Sequence, residues 1–181
     1  LQGRRLAGPM ARAALDDAGR RVATIALVHD TLSHRLDDTI DFGLIAQRGL
    51  QAAIDVANRS DARARGRLRG AFGQMRSDDA TPLAMVLAEL VQNAVEHGVP
   101  EGGTVSVEAE RSTEGDVDIL RVTVVDDGAG LPTGFRPSKA GLGTRIVTSM
   151  IHDLGGQIRW DDAEPRGTRV RFSARLRPVD G

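Results

Sequence analysis

An alternating run at residues 104–110 constrains the fold of this chain more than any other feature. Val105 and Val107 fall on one side of an extended chain there, and the polar residues between them fall on the other. A second alternating run, 118–125, follows the turn-forming sequence at 112–116. The two runs predict a β-hairpin of half-buried strands whose apolar face must be covered by a second layer.

Helical patterns surround this hairpin. The first of them runs through Leu44, Ile45, Leu50, Ile54 and Val56. The remaining expected elements are a polar loop followed by a strand within 61–76, a helix from Thr81-Pro82 to Gly98-Val99-Pro100, a helix through 146–154 that ends at Gly155-Gly156, and strands at 157–161 and 168–177. This order predicts an α+β fold, an α/β two-layer sandwich in which helices cover one face of an antiparallel sheet.

The N-terminal residues carry a helical seam. Its members recur at alternating steps of three and four, a spacing that favours a bundle or a dimer. They are Leu15, Ala18, Val22, Ile25, His29, Leu32 and Leu36. Asp37-Asp38-Thr39 closes the pattern, so we expect a helical region over 1–38 and a separate domain over 39–181. The chain begins at Leu1 without Met, and we interpret it as a piece of a longer protein.

Composition excludes several kinds of site. The chain has no cysteine, which excludes disulfides, thiolate zinc sites and cysteine nucleophiles. Its net charge of −1 creates no overall field that attracts nucleic acid or an anionic membrane. No apolar run approaches the roughly 18 residues of a membrane span, and no signal peptide opens the chain. We therefore expect a cytoplasmic location and neither a direct nucleic-acid partner nor a membrane.

One polar stretch is rich in arginine. It carries Arg63, Arg65, Arg67, Arg69 and Arg76. No aromatic residue that would stack on bases lies among the arginines at 63–69. We interpret it as a solvated face rather than a nucleic-acid contact.

Polar residues on the helix from Thr81 indicate a cation site. Glu89, Asn93 and Glu96 are spaced by four and three, so their side chains share one face of the helix. A carboxylate and an amide oxygen suit a hard cation such as Mg²⁺, which takes few protein ligands and keeps other positions for water and phosphate. The alternative is an ordinary solvated polar face.

Two glycine-rich segments are the other candidate binding elements. Asp126-Asp127-Gly128-Ala129-Gly130 follows a strand, where glycines allow close backbone approach and a carboxylate can accept from an exocyclic amine such as that of adenine. Gly141-Leu142-Gly143-Thr144-Arg145 opens a helix, whose free N-terminal amides can bind phosphate. A tight turn is the alternative for the first segment, and the second pattern is common by itself.

The order of these motifs along the chain resembles the ATP-binding domain shared by histidine kinases, gyrases and heat-shock chaperones, the Bergerat or GHKL fold. The resemblance covers residues 81–170 and includes Arg166-Gly167-Thr168 near the last strand. It implies the same two-layer fold with a mixed, mostly antiparallel sheet, and it implies ATP and Mg²⁺ as cofactors.

The resemblance also implies roles for single residues. Asn93 is the magnesium ligand, Asp126 accepts from the adenine amine, and Glu89 orients a magnesium-bound water or, in a hydrolase, acts as general base. Residues 131–140 form a short lid containing Phe135, in which Lys139 is either a phosphate ligand or a solvated charge. The implied nucleotide-binding residues are Asn93, Asp126, Gly128, Gly130, Lys139, Gly141, Leu142, Gly143, Thr144, Arg145 and Thr168.

The N-terminal segment resembles the end of the dimerisation and phosphoacceptor hairpin of HisKA_2 histidine kinases, a group that includes actinobacterial cytosolic sensors. The resemblance rests on residues 1–6, 11–15 and 21–32. In that group the phosphorylated histidine lies upstream of the segment that matches Leu1, so we expect the acceptor to be absent here. His29 is then a packed interface residue.

Together the two resemblances imply Mg-ATP-dependent phosphoryl transfer to a histidine, and then to an aspartate of a response-regulator receiver domain. They also imply a homodimer in the full-length protein, with a fragment that binds ATP but does not autophosphorylate. Glu96 departs from the basic residue that many histidine kinases carry there. The string 93–98 is reminiscent of anti-sigma-factor serine kinases of the same fold. Such a serine kinase and a non-catalytic nucleotide-responsive module are the alternatives.

Overall fold

The computed structural model describes residues 39–59 and 63–179, together with isolated helical positions at 15, 18, 19, 22 and 26. Leu15, Ala18 and Val22 of the seam are helical, as predicted, and all three are exposed, Leu15 at 72%. The other seam residues, including His29, lie outside the described residues. The bundle or dimer that the seam favours therefore stays a prediction.

A five-stranded sheet forms one layer of the molecule. Its strands are β2 (Arg63–Gly70), β4 (Gly102–Glu114), β5 (Val117–Asp126), β6 (Ile158–Asp162) and β7 (Thr168–Leu176), in the spatial order β2-β4-β5-β7-β6. The β2–β4 pair is parallel and the other pairs are antiparallel. A small second sheet pairs β1 (Thr39–Asp41) with β3 (Gln74–Arg76). The predicted hairpin is β4–β5, and the mixed, mostly antiparallel sheet is confirmed.

Three helices form the second layer. They are α1 (Phe42–Asn58), α2 (Ser77–Asn93) and α3 (Leu142–Asp153). They pack on one face of the sheet, because alternate residues of the strands, such as Val107, Leu120 and Val122, join their apolar sides in one core. Within α1, Ile45, Leu50 and Ile54 are buried, whereas Leu44 and Val56 are exposed. The expected two-layer α+β fold is therefore confirmed.

The predicted start of α2 is wrong by one turn. The helix begins at Ser77 rather than at Thr81, and Pro82 lies inside it. The carboxylate of Asp79, which is 1% exposed, accepts a hydrogen bond of 2.8 Å from the backbone amide of Arg177, just beyond β7. This contact holds the first helical turn from a distant part of the chain, which local sequence signals do not reveal. The hydroxyl of Thr81 donates to the carbonyl of Ser77 instead of capping the helix.

The far end of α2 continues as a π-helical turn, Ala94–Gly98. The amide of Val99 closes it by donating to the carbonyl of Ala94 over 3.0 Å. Turns of this type often mark functional sites because they insert a residue into a helix and redirect its side chains. The predicted helix end at 98–100 is thus confirmed, and it lies at the mouth of the cavity described next.

Candidate nucleotide site

A cavity of about 580 Å³ lies where the two layers meet at one end of the sheet. Its walls come from α2 and the π-helical turn, the ends of β5 and β7, the segment 130–141, and the first turn of α3. The sequence-predicted residues that line it are Glu89, Asn93, Asp126, Gly130, Lys139, Gly141, Gly143, Thr144 and Thr168. Tertiary structure therefore brings the three separate motifs to one place.

Three of the expected binding residues do not line the cavity. The backbone of Gly128 lies against the carbonyl of Gly98, and a Cβ built on Gly128 would lie 1.7 Å from that oxygen. Gly128 thus permits close packing of the β5 end on the π-helical turn rather than forming cavity wall. Leu142 is 63% exposed, and Arg145 lies on α3 outside the lining.

Asp126 is held in a fixed orientation at the end of β5. It is 3% exposed, and its Oδ1 accepts from the amide of Gly128 at 3.0 Å and from that of Thr168 at 3.1 Å. These two backbone donors hold the Asp126 side chain in one rotamer. Both of these hydrogen bonds go to Oδ1, the described residues offer no hydrogen bond to Oδ2, and Asp126 lines the cavity. This second oxygen is therefore left to accept from a group inside the cavity.

Two glycines pack closely against Asp126. A Cβ on Gly98 would lie 2.5 Å from the Asp126 Cγ, and a Cβ on Gly167 would lie 1.9 Å from the Asp126 carbonyl oxygen. Gly167 also has a φ of 101°, a backbone conformation that side chains other than glycine rarely adopt. A side chain at Gly98 would overlap the Asp126 carboxylate, and a side chain at Gly167 would overlap the Asp126 backbone.

The acidic end of α2 meets the first turn of α3. Glu89 and Asn93 both line the cavity, one turn apart on the same side of α2. A Cβ on Gly143 would lie 1.7 Å from Oε1 of Glu89, so the carboxylate lies directly against the start of α3. Helix N-termini attract negative charge through their free amides and macrodipole. The same position suits phosphate oxygens, as the sequence predicts.

The chemistry of these donors fits Mg²⁺ bound together with a phosphate chain. The carboxylate of Glu89 and the amide oxygen of Asn93 are hard oxygen donors, the type that Mg²⁺ prefers. Few protein ligands are needed, because Mg²⁺ retains water and substrate phosphates in its shell. Glu96 contributes nothing to this set, since it is exposed, accepts from Gln92 and lies outside the cavity lining.

Several lining residues are not among the predicted site residues. His97 lines the cavity from the π-helical turn, and Val124, Trp160 and Val170 line it from the sheet. His97 is adjacent to Gly98, which also lines the cavity. The sheet residues share the helix-facing side of their strands, so alternation counted from Asp126 and Thr168 identifies Val124 and Val170. Trp160 needs in addition the pairing of β6 with β7, which the sequence does not show.

Comparison with known proteins agrees with this geometry. The family described as histidine kinase-, DNA gyrase B- and HSP90-like ATPase matches residues 78–178, and the HisKA_2 histidine kinase family matches residues 1–56. Similar curated proteins include the sensor histidine kinase PdtaS of Mycobacterium tuberculosis, 42% identical over 94% of this chain, and that of Mycolicibacterium smegmatis, 41% identical over 94%. The chain spans 34% of the length of either relative.

Solved structures show the same fold. The blue-light-activated histidine kinase EL346 of Erythrobacter litoralis superposes with a TM-score of 0.75 at 25% identity, over 96% of this chain and 59% of that one. Its separate histidine kinase domain superposes with a TM-score of 0.74 at 24% identity, over 88% of this chain and 75% of that one. Among the described residues, no helix is long and apolar enough to cross a membrane.

Proposed function

Because the chain belongs to the family of histidine kinase-, DNA gyrase B- and HSP90-like ATPases, we propose that it is the ATP-binding catalytic portion of a two-component sensor histidine kinase. One observation carries the proposal: Asn93, Asp126 and the first turn of α3 all face one cavity. The match of residues 1–56 to a histidine kinase family supports this choice over the other ATPases of the same fold.

In this proposal the sheet side of the cavity binds the adenine base. The free Oδ2 of Asp126 accepts from the exocyclic amine, while Val124 and Val170 contact the ring. Thr168, beside Asp126, lines the same end of the cavity. Gly130 gives the base close access to the backbone. Gly128 supports this wall through its packing on Gly98.

The helix side of the cavity binds the phosphates and Mg²⁺. Asn93 ligates Mg²⁺ through its amide oxygen, and Glu89 orients a water bound to the ion. The amides of the first turn of α3, from Leu142 to Thr144, donate to phosphate oxygens, and Gly141 and Gly143 allow the chain to pass close beneath them. Lys139 supplies a charge from the lid, and Arg145 adds charge at the same helix end without lining the cavity.

Bound ATP then presents its γ-phosphate to the acceptor histidine of the phosphoacceptor hairpin, and the resemblance implies that this histidine precedes Leu1. The nucleophile is the imidazole nitrogen, the bond that breaks joins the γ-phosphorus to the β–γ bridging oxygen, and ADP leaves. The chain contributes positioning and charge neutralisation rather than covalent chemistry. We assign residues 1–38 to the dimerisation region and 39–181 to the ATP-binding domain. The phosphoryl group passes to an aspartate of a receiver domain, and the full-length protein acts as a homodimer.

Phosphorylation of the full-length protein tests this function. We expect radiolabel from ATP to enter histidine as an acid-labile, base-stable product and to move to a receiver domain. Asn93→Ala should abolish labelling, because it removes the ligand that holds Mg²⁺. Gln92→Ala is the matched control, since Gln92 is the adjacent residue, pairs with Glu96 outside the cavity and should leave labelling intact.

The outcomes separate the alternatives. Acid-stable label on serine of an added protein would support an anti-sigma-type serine kinase instead. ATP binding without any label on the full-length protein would support a non-catalytic nucleotide-responsive module. Normal Mg-ATP binding by Asn93→Ala would refute the assignment of the magnesium site.

A further inference from the structure

Two residues of the edge strand β6, Trp160 and Asp162, lie on the helix-covered face at the cavity end of the sheet. Asp162 pairs with Thr168 across β6–β7, beside Asp126, and completes a polar row across three strands. Trp160 pairs with Val170, which pairs with Val124, and completes an apolar row. The apolar row and the Asp126 and Thr168 members of the polar row line the cavity, and Asp162 lies at the exposed outer end of the polar row, outside the lining.

Asp162, the outer residue of the polar row, contacts the beginning of the lid. Oδ1 of Asp162 accepts from the amide of Leu131 at 3.1 Å. The same oxygen would lie 3.1 Å from a Cβ on Gly130, so the backbone of the lid passes directly over this carboxylate. A hydrogen bond to a charged acceptor is stronger than a neutral one. Asp162 therefore fixes the point where the lid leaves the sheet.

Trp160, the outer residue of the apolar row, contacts the middle of the lid. A turn at residues 132–135, closed by the amide of Phe135 on the carbonyl of Pro132 at 2.9 Å, has Gly134 at a φ of 74°. It directs Phe135 back onto Trp160, with ring centroids 6.3 Å apart and planes tilted by 49°. This is a favourable geometry for an aromatic pair. Both rings also line the cavity.

We infer that β6 is the docking strand for the lid, and that Trp160 is a nucleotide-contacting residue whose ring, paired with Phe135, forms the outer wall of the base pocket. The identity of the ligand rests on the proposed function. The apolar row places the Trp160 ring beside the surface that Val124 and Val170 offer to a base. A base packed there extends the aromatic contact, so nucleotide and lid hold each other in place.

The composition of the chain supplies two probes of this arrangement. Trp160 is the single tryptophan and Lys139, in the lid, is the single lysine. Tryptophan emission therefore reports only on the pocket wall, and a lysine-specific endoprotease cuts the chain only in the lid. Release of the lid should expose the Lys139–Ala140 bond to cleavage.

The variants to compare are Phe135→Ala, Trp160→Ala, Trp160→Phe and Asp162→Ala, with Arg159→Ala as the matched control. Arg159 is on the same strand but on the opposite face of the sheet. Aromatic pairs contribute about 0.5–1.5 kcal/mol, so loss of either ring should speed cleavage after Lys139 by about 2- to 12-fold. Trp160→Phe should restore most of the protection, and Arg159→Ala should behave as the wild type.

Nucleotide measurements complete the test. Adding Mg-ATP to the wild-type chain should shift the Trp160 emission and slow cleavage after Lys139, and Trp160→Ala should lower ATP affinity several-fold by calorimetry. If the wild type binds ATP while the ring variants change neither cleavage nor affinity, the inference is wrong and the proposed function stands. If the wild type binds no nucleotide, the proposed function fails, and the cleavage rates without nucleotide still decide whether β6 holds the lid.

Discussion

The two faces of the main sheet are built from the same strands but differ in almost every property. The helix-covered face alternates through Val105, Val107, Leu120 and Val122, which are nearly inaccessible to solvent, and ends in the cavity. The other face, which we call the open face, carries polar and charged residues. Its arginines are Arg63, Arg65, Arg67, Arg69, Arg121, Arg159, Arg169, Arg171 and Arg175. Each strand thus has one side that faces the core and the cavity and one side that faces solvent. Substitutions at neighbouring positions should therefore change stability and nucleotide binding by very different amounts.

The largest difference is expected in stability. Leu120→Ala removes a side chain that is fully buried on the covered face, and it should lower the free energy of unfolding by about 2–5 kcal/mol. Thr123→Ala, in the same strand on the open face, should change it by less than about 0.5 kcal/mol. Urea denaturation of the two variants measures both values. Similar losses in the two variants would show that the faces are not energetically distinct.

A smaller difference is expected in nucleotide binding. Asp126→Asn keeps an oxygen for the amides of Gly128 and Thr168, but under the proposed function it turns an amide donor toward the adenine amine. Loss of a hydrogen bond to a charged acceptor costs about 1.5–3 kcal/mol, so ATP affinity should fall by about 10- to 150-fold. Asp161→Asn, which alters a carboxylate of the open face, is the matched control and should bind ATP as the wild type does. Calorimetric titration with ATP distinguishes these outcomes, and equal affinities for the three proteins would remove Asp126 from the site.

The smallest effect is expected within the open face itself. Arg171 pairs with Asp161 at 2.6 Å, with the two side chains 53% and 42% exposed. Exposed ion pairs contribute only about 0.2–1 kcal/mol and are screened by salt. Arg171→Ala should therefore lower the free energy of unfolding by less than about 1 kcal/mol at low salt, and by less still in molar salt. A loss above about 2 kcal/mol, independent of salt, would show that this face is more than a solvated surface.

The arginine run shows how far local sequence reasoning reaches. Arg63, Arg65, Arg67 and Arg69 are exposed on β2, as the interpretation of a solvated face predicts. The arginines of β7 and β6 join the same face only because the sheet places β7 beside β5 and β6 beside β7. A chain with a net charge of −1 thus carries one strongly basic face, a local property that the overall charge conceals.

Helix boundaries are also predictable from sequence only where their signals are local. The end of α3 at Gly155-Gly156 is readable because its signal is local: the amides of these two residues donate to the carbonyls of His152 and Ile151. The start of α2 is misread because its decisive partner, the backbone amide of Arg177, lies 98 residues away. A hydroxyl followed by proline is a good local signal for a helix start, but a long-range hydrogen bond outweighs it here.

The sequence by itself determined the class of fold, the order of its elements and the chemical types of the cavity residues, because alternation, helical spacing and glycine placement are properties of neighbouring residues. Only the tertiary structure decided which of these residues meet. Asp126, Asn93 and Gly143 line one cavity, whereas Gly128 packs against Gly98 and Arg145 lies outside the lining. Trp160 lines the cavity because the edge strand β6 pairs with β7. The physical reason is that burial and hydrogen bonding between distant segments set these positions, and no local pattern encodes the partner of a strand edge.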